Sequence, residues 1–499
     1  MVGNREIGTT PESSVQDLQS VLTVQKKAFL EEGTPDLKKR LDRLRRLAAL
    51  LLENKDEIAH GLSEDFGHRS REVSLLYDVA VLLSAIDYTK THLPGWVKPD
   101  IKEPPLPGAS ARVEFQPKGV VGVLSPWNLP YQLAFGPVID ILGAGNRALL
   151  KPSELTPITS ALMKRLVARH FEEAEFAVVT GGPDIGAAFT NLAFDHLIFT
   201  GSTAVGRHVA RAAADNLTPL TLELGGKSPV IVSKTAKLSM AAERIMTKKT
   251  LNAGQICLAP DYVFVPEGRE SDFVAAARAA VAAMFPALRR NPDYTSIINE
   301  KHFARLASMI EDARAKGAEI VELNPAGEDF SEISERRIPP TLILRATDEM
   351  RVLQEEIFGP LLPIVPYASL REVASYINVH PRPLALYYFG DSPDEERHVL
   401  DETTSGAVTI NDCMSHVGVE TLPFGGIGDS GMGAYHGHYG FLTFSHHKAI
   451  YRQADVVPTE TLLRPPYNGA SRGFLDAAFE RYARGMTGGV AVPARSTAR

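Results

Sequence analysis

Cysteine and long hydrophobic runs are both scarce in this sequence. Its 499 residues include two cysteines, Cys257 and Cys413, which excludes a disulfide-held scaffold and favours a reducing compartment. The most apolar stretches, 79–86 and 134–144, are far shorter than the run of about 18 residues that a membrane-spanning helix needs. The amino-terminal residues contain no apolar core of the kind that marks a signal peptide. We therefore expect a cytoplasmic protein with no membrane span.

Basic residues are outnumbered by acidic ones. The 53 lysines and arginines and the 60 aspartates and glutamates give a formal net charge of −7. Nucleic-acid binding needs a concentrated basic surface, so we expect no nucleic-acid partner. With 44% hydrophobic and 23% charged residues, the composition is that of a globular protein rather than a disordered or collagen-like one. At about 150 residues per domain, the length predicts roughly three domains.

Hydrophobic periodicity predicts helices first and then a repeated alternation of strands and helices. Apolar residues three and four positions apart predict helices over 14–85, and the prolines and glycines of 94–107 predict a linker with extended pieces. Helical patterns then separate a series of short apolar strands, and this alternation predicts an α/β fold with parallel sheets covered on both faces. The strands are predicted at 119–124, 147–151, 176–180 and 196–199, and again, past a boundary near Gly225–Gly226, at 230–232 and 262–265.

A glycine-containing turn follows the strand predicted at 196–199. It reads Phe199-Thr-Gly-Ser-Thr-Ala-Val-Gly206 and opens a helix, whose amino terminus offers free N–H groups to an anion such as a phosphate. Gly201 and Gly206 would let the backbone approach that group. Their spacing matches neither the dinucleotide fingerprint nor a phosphate-binding P-loop, so an ordinary strand-to-helix turn is an equal alternative.

An acidic residue lies between two leucines in the motif Leu222-Glu-Leu-Gly-Gly-Lys-Ser-Pro229. Burying a carboxylate on an apolar strand is costly and raises its pKa, which suits a general base that works near neutral pH. Glu223 is therefore a candidate base. A glutamate at the end of a strand, paired with Lys227, is the alternative interpretation.

One of the two cysteines lies in a glycine-containing turn, Asn252-Ala-Gly-Gln-Ile-Cys257. Backbone N–H groups near such a turn can activate a thiolate as a nucleophile. A lone cysteine is nevertheless more often a small buried apolar residue. Cys257 is thus a candidate nucleophile with a purely structural alternative.

Three further motifs carry polar residues. Ser125-Pro-Trp-Asn128 and Lys151-Pro-Ser-Glu154 each follow a predicted strand directly, which is where an α/β sheet presents functional groups. Asn128 there can donate its side-chain amide to a developing oxyanion. The sixth motif is Gln354-Glu-Glu-Ile-Phe-Gly-Pro360.

These six motifs, in this order, resemble those of the aldehyde dehydrogenase superfamily. The resemblance covers about residues 20–465, and the spacing between Glu223 and Cys257 also matches the family. Two segments, Cys257–Tyr262 and Pro423–Gly437, are similar to the class 3 branch, and 206–229 is similar to the bacterial coniferyl aldehyde dehydrogenases.

The resemblance implies a fold and a domain organisation. The fold would be α/β, with a Rossmann-like cofactor domain, a second α/β catalytic domain and a small β bridging element. Through the bridging strands the chain would form a homodimer. The implied boundaries are 1–95 and 118–225 for the NAD-binding domain, 226–422 for the catalytic domain, 96–117 and 449–465 for the bridging strands, and 466–499 for a carboxyl-terminal extension.

The resemblance also implies covalent catalysis that requires no metal. Cys257 would attack the aldehyde carbon, while the amide of Asn128 and the backbone N–H of Cys257 hold the oxyanion. Oxidation would leave a thioester, and Glu223 would be the base for its hydrolysis. The implied substrate is an aromatic propenal such as coniferyl aldehyde, oxidised to ferulate. A medium- or long-chain aliphatic aldehyde is the alternative, and a non-catalytic binding relative is a third hypothesis.

The implied cofactor is NAD, with NADP as an alternative. Lys151 and Glu154 would hold the adenosine ribose, and the Glu154 carboxylate favours NAD because it repels a 2′-phosphate. The turn at Gly201–Ser202 would meet the pyrophosphate, Glu356 the nicotinamide ribose and Phe358 the nicotinamide ring. The full set of implied cofactor-binding residues is Lys151, Glu154, Gly201, Ser202, Gly206, Leu224, Glu356, Phe358 and Trp127.

Two features near the carboxyl terminus have weaker interpretations. The turn at 411–418 matches a family turn without an assigned role, and Cys413 within it is expected to be inert packing. Four histidines form a small cluster in the sequence: His436, His438, His446 and His447. No H-E-x-x-H or C-x-x-C motif accompanies them, so a packed or solvated cluster is favoured over a zinc site.

Overall fold

The computed structural model of the chain describes residues 12–104, 108–330, 335–455 and 464–487. Helices and strands alternate through most of this part, which confirms the α/β fold class. The α-helices are α1 (Val15–Glu32), α2 (Leu37–Glu53), α3 (Lys55–Phe66), α4 (Arg71–Leu75), α5 (Val81–Trp96), α6 (Pro130–Gly143), α7 (Pro157–His170), α8 (Pro183–Thr190), α9 (Thr203–Asp215), α10 (Leu238–Thr250), α11 (Glu270–Met284), α12 (Glu300–Ala315), α13 (Arg351–Gln354), α14 (Leu370–Val379), α15 (Pro393–Glu402), α16 (Gly437–Thr443) and α17 (Gly469–Thr487).

The strands form three sheets in the described ranges. The strands are β1 (Asp100–Lys102), β2 (Ser110–Pro117), β3 (Val120–Leu124), β4 (Arg147–Lys151), β5 (Phe176–Val178), β6 (His196–Gly201), β7 (Leu220–Leu224), β8 (Pro229–Val232), β9 (Tyr262–Pro266), β10 (Glu319–Glu322), β11 (Thr341–Leu344), β12 (Leu361–Tyr367), β13 (Ala385–Phe389), β14 (Ala407–Ile410), β15 (Gly431–Met432) and β16 (Ser445–Arg452). A π-helical turn (Leu76–Ala80) joins α4 to α5, and 3₁₀ turns lie at Leu251–Gly254 and Ser415–Gly418.

The first sheet has the strand order β15-β7-β6-β3-β4-β5. All neighbouring pairs from β7 to β5 are parallel, and β15 is antiparallel to β7. Because β4 lies on one side of β3 and β6 on the other, the chain changes direction across the sheet at β3. Open parallel sheets bind ligands in the crevice that such a change opens at the carboxyl ends of their strands.

The second sheet has the order β10-β11-β12-β9-β8-β13-β14, and all its pairs except β10 with β11 are parallel. Strands β9 and β13 are buried at every position. Burial of whole strands on both faces is what produces continuous apolar runs such as Ala385–Phe389.

A short link joins the two sheets. Residues 225–228 connect the end of β7 to the start of β8, and four residues span at most about 14 Å. The carboxyl edge of the first sheet therefore lies near the amino edge of the second. Both sheets belong to one compact unit, which holds the residues up to Lys98 and those from Phe115 to His446. The domain boundary predicted at 225/226 falls in this link and stays a prediction.

The other compact unit holds Pro99–Glu114 and the residues from His447 onward. Its sheet has the order β1-β2-β16, with β1 antiparallel to β2, and α17 follows. Residues 456–463 of the predicted bridging segment lie outside the described residues. Within the four described ranges, no helix combines the length and the apolar character that crossing a membrane requires.

Helix α5 runs further than the sequence pattern predicts. The linker was expected to start at Pro94, whereas the helix continues through this residue to Trp96. Pro94 lies in the last turn, where its missing N–H removes a single helical hydrogen bond. The next turn still closes, because the Val97 N–H donates to the Leu93 carbonyl at 3.1 Å.

Candidate active site

The polar motifs that follow strands meet at the carboxyl edge of the first sheet. In the register of the sheet, Leu124 of β3 pairs with Lys151 of β4 and with Phe199 of β6, and Thr200 of β6 pairs with Glu223 of β7. Four neighbouring strands therefore end at the same level. The ends of these strands carry Lys151 and Glu223, and the segments that follow β3 and β6 carry Asn128 and Ser202, to one edge, as the sequence predicts.

The cysteine reaches this edge from the second sheet. Cys257 lies in the turn between α10 and β9, at the amino edge of that sheet. The Asp261 N–H donates to the Ser228 carbonyl at 2.9 Å, which attaches the segment after the cysteine to the link between the sheets. Glu223 and Cys257 thus face one cavity although 33 residues lie between them in the sequence.

This cavity, called here the edge cavity, has a volume of about 250 Å³. It collects most of the residues that the sequence singles out, while Lys151, Glu154 and Gly206 do not line it. The predicted residues that line it are Trp127, Asn128, Gly201, Ser202, Glu223, Leu224, Cys257, Glu356 and Phe358.

The three remaining predicted residues lie beside the edge cavity. The Lys151 ammonium donates to Glu154 Oε2 at 2.9 Å, with the lysine buried and the glutamate exposed at the end of β4. A Cβ atom added to Gly206 would lie 2.6 Å from Leu224 Cδ2. The second glycine of the turn therefore permits α9 to pack closely on β7, and a ligand contact for it stays a prediction.

The turn that presents Cys257 has an unusual backbone. Asn252 and Ala253 have φ angles of 50° and 52°, in the left-handed region, and Gly254 follows at 73°. Such conformations cost of order 1 kcal/mol each for residues other than glycine. Gln255 offsets this cost, because its side chain donates to the Asn252 carbonyl at 3.0 Å and to the Ser296 carbonyl at 3.1 Å. The same side chain accepts from the Ile298 N–H at 3.0 Å.

The thiol of Cys257 is protonated at neutral pH in this environment. Burial raises its pKa to about 12, and the nearby carboxylates of Glu356 and Glu223 add to the shift. The backbone N–H groups of Cys257 and Leu258 act in the opposite direction, since they donate to the sulfur. A base or a favourable binding event is therefore needed to produce the nucleophilic thiolate.

Glu223 lines the edge cavity as a candidate base. Its side chain is 2% exposed, and neither carboxylate oxygen has a hydrogen-bond partner among the described residues. Burial raises its pKa well above the usual value, as the sequence predicts. The alternative pairing with Lys227 is wrong, because Lys227 forms its ion pair with Asp261.

Asn128 is held by the cysteine turn. Its Nδ2 donates to the Gln255 carbonyl at 3.1 Å, and its own carbonyl accepts from Asn252 Nδ2 at 3.0 Å. The helix that follows is also fixed, since Asp78 accepts from the Tyr131 N–H at 3.0 Å. One N–H of the Asn128 amide is used in this contact, and the amide retains a second for a ligand in the cavity.

The loop that carries Glu356 is attached to the link between the sheets. Lys227 donates to the Val352 carbonyl at 2.8 Å and to the Glu355 carbonyl at 2.9 Å. Its partner Asp261 accepts from the Ile357 N–H at 3.0 Å. Lys227 and Asp261 together therefore set the position of Glu356.

Glu356 itself has an unsatisfied carboxylate. Burial, with the Asp261 charge, raises its pKa to about 8, and its Oε1 is buried without a partner among the described residues. A Cβ atom on Gly225 would overlap the carboxylate, so that glycine leaves the space that Glu356 occupies. A ligand hydroxyl in the edge cavity would satisfy this oxygen.

Two residues of α12 line the edge cavity without any signal in the sequence motifs. His302 lies against Trp127, with ring centroids 5.1 Å apart, and Trp127 meets Phe358 edge-on at 5.4 Å. Arg305 donates to the Glu356 carbonyl at 3.2 Å. Arg305 supports the loop that carries Glu356 and Phe358 directly, and His302 contacts it through Trp127. Only the fold brings the two residues there.

A second cavity, called here the apolar cavity, also reaches Cys257. Leu133, Cys257 and Phe424 line both cavities. Further apolar walls come from α5, α6 and the turn at 411–418, whose Met414 and Val417 line it. Its lining also includes His436 of the predicted histidine cluster and three polar residues that no sequence motif identified: Gln132, Asp140 and Glu420.

Of the four histidines that suggested a zinc alternative, His436 and His438 pack against aromatic rings, and His446 and His447 lie exposed on β16. His436 stacks on Phe424 at 5.0 Å, and His438 lies 5.4 Å from the Trp96 ring. In the described part of the chain, no group of three or more histidine, cysteine or acidic side chains is arranged to hold a metal ion. Cys413 is buried and lines neither cavity.

Comparison with known proteins places the whole chain in one family. The profile of the aldehyde dehydrogenase family matches residues 2–450. The coniferyl aldehyde dehydrogenase of Pseudomonas sp. (strain HR199) is 55% identical over 460 residues, which cover 92% of this chain and 96% of that protein. The probable coniferyl aldehyde dehydrogenase of Caulobacter vibrioides is 51% identical over 480 residues, covering 95% and 99%.

A solved structure agrees with this placement. The substrate-bound state of Staphylococcus aureus AldH superimposes with a TM-score of 0.87 at 36% sequence identity, and covers 93% of this chain and 99% of that one. Fold, family profile and relatives therefore concur over nearly the full length. The chain belongs to the aldehyde dehydrogenase family, and it oxidises an aldehyde with a nicotinamide cofactor.

Proposed function

We propose that this chain oxidises coniferyl aldehyde to ferulate with NAD, through a covalent intermediate on Cys257. One observation carries the proposal: Cys257 lies where the edge cavity and the apolar cavity meet. A substrate in the apolar cavity and a cofactor in the edge cavity would then reach the same sulfur. The two relatives named for coniferyl aldehyde support the choice of substrate.

The first step forms a carbon–sulfur bond. The thiol releases its proton to bulk water, and the thiolate attacks the aldehyde carbon. The carbonyl oxygen becomes an oxyanion. The free N–H of the Asn128 amide and the backbone N–H of Cys257 stabilise it, since both are already oriented before the reaction begins.

The edge cavity fits a nicotinamide cofactor. The buried Glu356 Oε1 lacks a partner and would accept from a ribose hydroxyl. Ser202 lies at the amino terminus of α9, where free N–H groups favour a pyrophosphate. When bound, the cofactor supplies the acceptor for the two electrons and the hydrogen that leave the substrate carbon. The residues that would hold it are Lys151, Glu154, Gly201, Ser202, Leu224, Glu356, Phe358 and Trp127.

The second half of the reaction hydrolyses the thioester. Glu223 takes a proton from water, whose oxygen attacks the acyl carbon while the Asn128 amide again holds the oxyanion. The carbon–sulfur bond breaks, the carboxylic acid leaves, and the thiolate is regenerated. The unpartnered Glu223 carboxylate suits this role because no competing hydrogen bond restrains it.

The choice of aldehyde is tested by a substrate panel. We expect kcat/KM for coniferyl aldehyde to exceed that for hexanal and decanal by about tenfold or more, because a rigid aromatic propenal fills an apolar cavity with less loss of conformational entropy. The measurement is initial rates of nicotinamide reduction across the panel with NAD and with NADP. A higher kcat/KM for the alkyl aldehydes would favour the aliphatic alternative and contradict the proposal.

The choice of cofactor depends on Glu154. We expect Glu154→Gln to raise the NADP-to-NAD ratio of kcat/KM by about tenfold, because the carboxylate that repels a 2′-phosphate is gone and Lys151 loses its partner. The matched control is Glu53→Gln, an exposed glutamate on α2. An unchanged ratio in the Glu154 variant would show that another residue sets the preference.

The assembly and the location of the protein stay predictions. The outer strands of the β1-β2-β16 sheet have free edges in the described residues, and such edges can pair with a second chain. This supports the homodimer implied by the family resemblance. The cytoplasmic location is likewise an expectation from the sequence alone.

A further inference from the structure

The apolar cavity contains polar groups that the chemistry at Cys257 does not use. Asp140, Glu420 and His436 line it together with Gln132. Leu133 of α6 lines both cavities, whereas Asp140 lies seven residues further along the same helix, a rise of about 10 Å. Asp140 therefore lies toward the end of the apolar cavity that is remote from the edge cavity.

These groups converge on one patch of the wall. The His436 N–H donates to Asp140 Oδ2 at 3.2 Å. A Cβ atom on Gly437 would overlap the Glu420 carbonyl oxygen, so the backbone of Glu420 packs on the residue that follows His436. The Glu420 charge also acts on the buried Asp140 carboxyl, whose pKa is raised by burial first and by that charge second.

The patch has unused hydrogen-bonding capacity. Among the described residues, none forms a hydrogen bond or an ion pair with the Glu420 carboxylate or with the ring nitrogens of His436. Gln132 Oε1 is buried without a partner. The His436 ring stacks on Phe424 with 18° between their planes, which leaves its nitrogens at the edge. A buried polar atom without a partner is costly, and Gln132 Oε1 is one. The Glu420 and His436 side chains are half-buried and accessible to a ligand.

The charge of the patch limits which chemical class of ligand it can bind. Neither lysine nor arginine lines the apolar cavity, so a phosphate or carboxylate at this end would meet two carboxyl groups and no strong cation. A neutral O–H that can donate to a carboxylate and accept from an imidazole fits this combination.

We propose that Glu420 and His436 bind the phenolic hydroxyl of a 4-hydroxycinnamaldehyde substrate. The phenol O–H donates to the Glu420 carboxylate, and the phenol oxygen accepts from a ring N–H of His436. With the hydroxyl fixed at this patch, the propenal chain runs between apolar walls to Cys257. The inference rests on the proposed function and deepens it, because it assigns the substrate class as aldehydes that carry a hydroxyl donor remote from the carbonyl.

The test compares coniferyl aldehyde with its methyl ether, 3,4-dimethoxycinnamaldehyde. Wild-type kcat/KM is expected to be about tenfold or more higher for the phenol, because a site built to pair with a hydroxyl rejects the analogue that lacks the donor. In Glu420→Leu this ratio is expected to fall to near one, with the loss in the KM for coniferyl aldehyde. The matched control Glu53→Leu, on the exposed side of α2, is expected to keep the wild-type ratio.

Two further measurements test the proposal even if the Glu420→Leu variant does not fold. His436→Asn is expected to lower the same ratio, since it removes the imidazole but keeps a residue that tolerates the left-handed φ of 83°. In the wild type, coniferyl alcohol is expected to inhibit about tenfold more strongly than its methyl ether, a comparison that needs no variant.

The outcomes separate the two proposals. A wild-type ratio near one, or a ratio that survives Glu420→Leu unchanged, overturns the assignment of Glu420 and His436 while the oxidation of aromatic propenals stands. Failure of the wild type to oxidise either propenal, with good turnover of alkyl aldehydes, overturns both. The assignment is supported if the kcat/KM ratio of phenol to methyl ether is high in the wild type and in Glu53→Leu but falls to near one in Glu420→Leu.

Discussion

Replacement of Cys257 by alanine is expected to lower kcat/KM for coniferyl aldehyde by about 10⁴-fold or more, as loss of a catalytic nucleophile does in other covalent enzymes. Cys257 is the residue at which both cavities meet, and alanine leaves no atom that can form the acyl intermediate. The measurement is the initial rate of nicotinamide reduction with coniferyl aldehyde and NAD.

The matched control for this prediction is the second cysteine of the chain. Cys413→Ala removes a buried sulfur that lines neither cavity, so we expect kcat/KM within about twofold of wild type and a loss of about 1 kcal/mol in stability. Cofactor binding can be followed in both variants through the fluorescence of Trp127, which lines the edge cavity. A kcat/KM for Cys257→Ala within about tenfold of the Cys413→Ala value would contradict the assignment.

Replacement of Glu223 by glutamine is expected to slow turnover by about 10²–10⁴-fold, the usual contribution of a general base. The amide has the shape of the carboxyl group and fits a site where neither oxygen has a partner, so we expect the variant to fold. If hydrolysis is the step that slows most, a single turnover should still reduce one cofactor per active site before the reaction stalls. Rapid-mixing absorbance measures this burst.

The pH dependence provides a separate check on Glu223. Burial raises its pKa well above the usual value, so the fraction of carboxylate, the form that acts as a base, grows as the pH rises from neutral. The wild-type hydrolysis rate should therefore rise with pH, by up to about tenfold per unit below the pKa, and the rise should be lost in Glu223→Gln. A wild-type steady-state rate that falls as the pH increases would argue against Glu223 as the base.

Local sequence patterns predict much of this fold and of the edge cavity. Strand-ending motifs such as Leu222–Leu224 and Lys151–Glu154 are recognisable because a parallel sheet must place the ends of neighbouring strands at one edge. Asn128 is identified in the same way as a possible oxyanion donor, and Cys257 is identified from its glycine-containing turn as a candidate nucleophile. The family resemblance then joins these roles into one mechanism. The raised pKa of Glu223 also follows from its leucine neighbours alone.

Other features depend on contacts between distant parts of the chain. The left-handed backbone at Asn252 and Ala253 is stabilised by bonds from Gln255 to Ser296 and Ile298, which no local pattern indicates. The ion-pair partner of Lys227 could not be assigned from the sequence, because Asp261 approaches Lys227 only when β8 and β9 pair. The polar patch of the apolar cavity joins α6 to the segment around Glu420 and His436, so only the assembled fold reveals it.

The most direct test of the account is the location of the acyl group during turnover. Glu223→Gln is mixed with coniferyl aldehyde and NAD, quenched in acid and digested, and the peptides are examined by mass spectrometry. The account predicts one feruloyl group per chain, on the peptide that contains Cys257, and none on the peptide that contains Cys413. Ferulate formation without any acylated Cys257, or a feruloyl group on another residue, would contradict it.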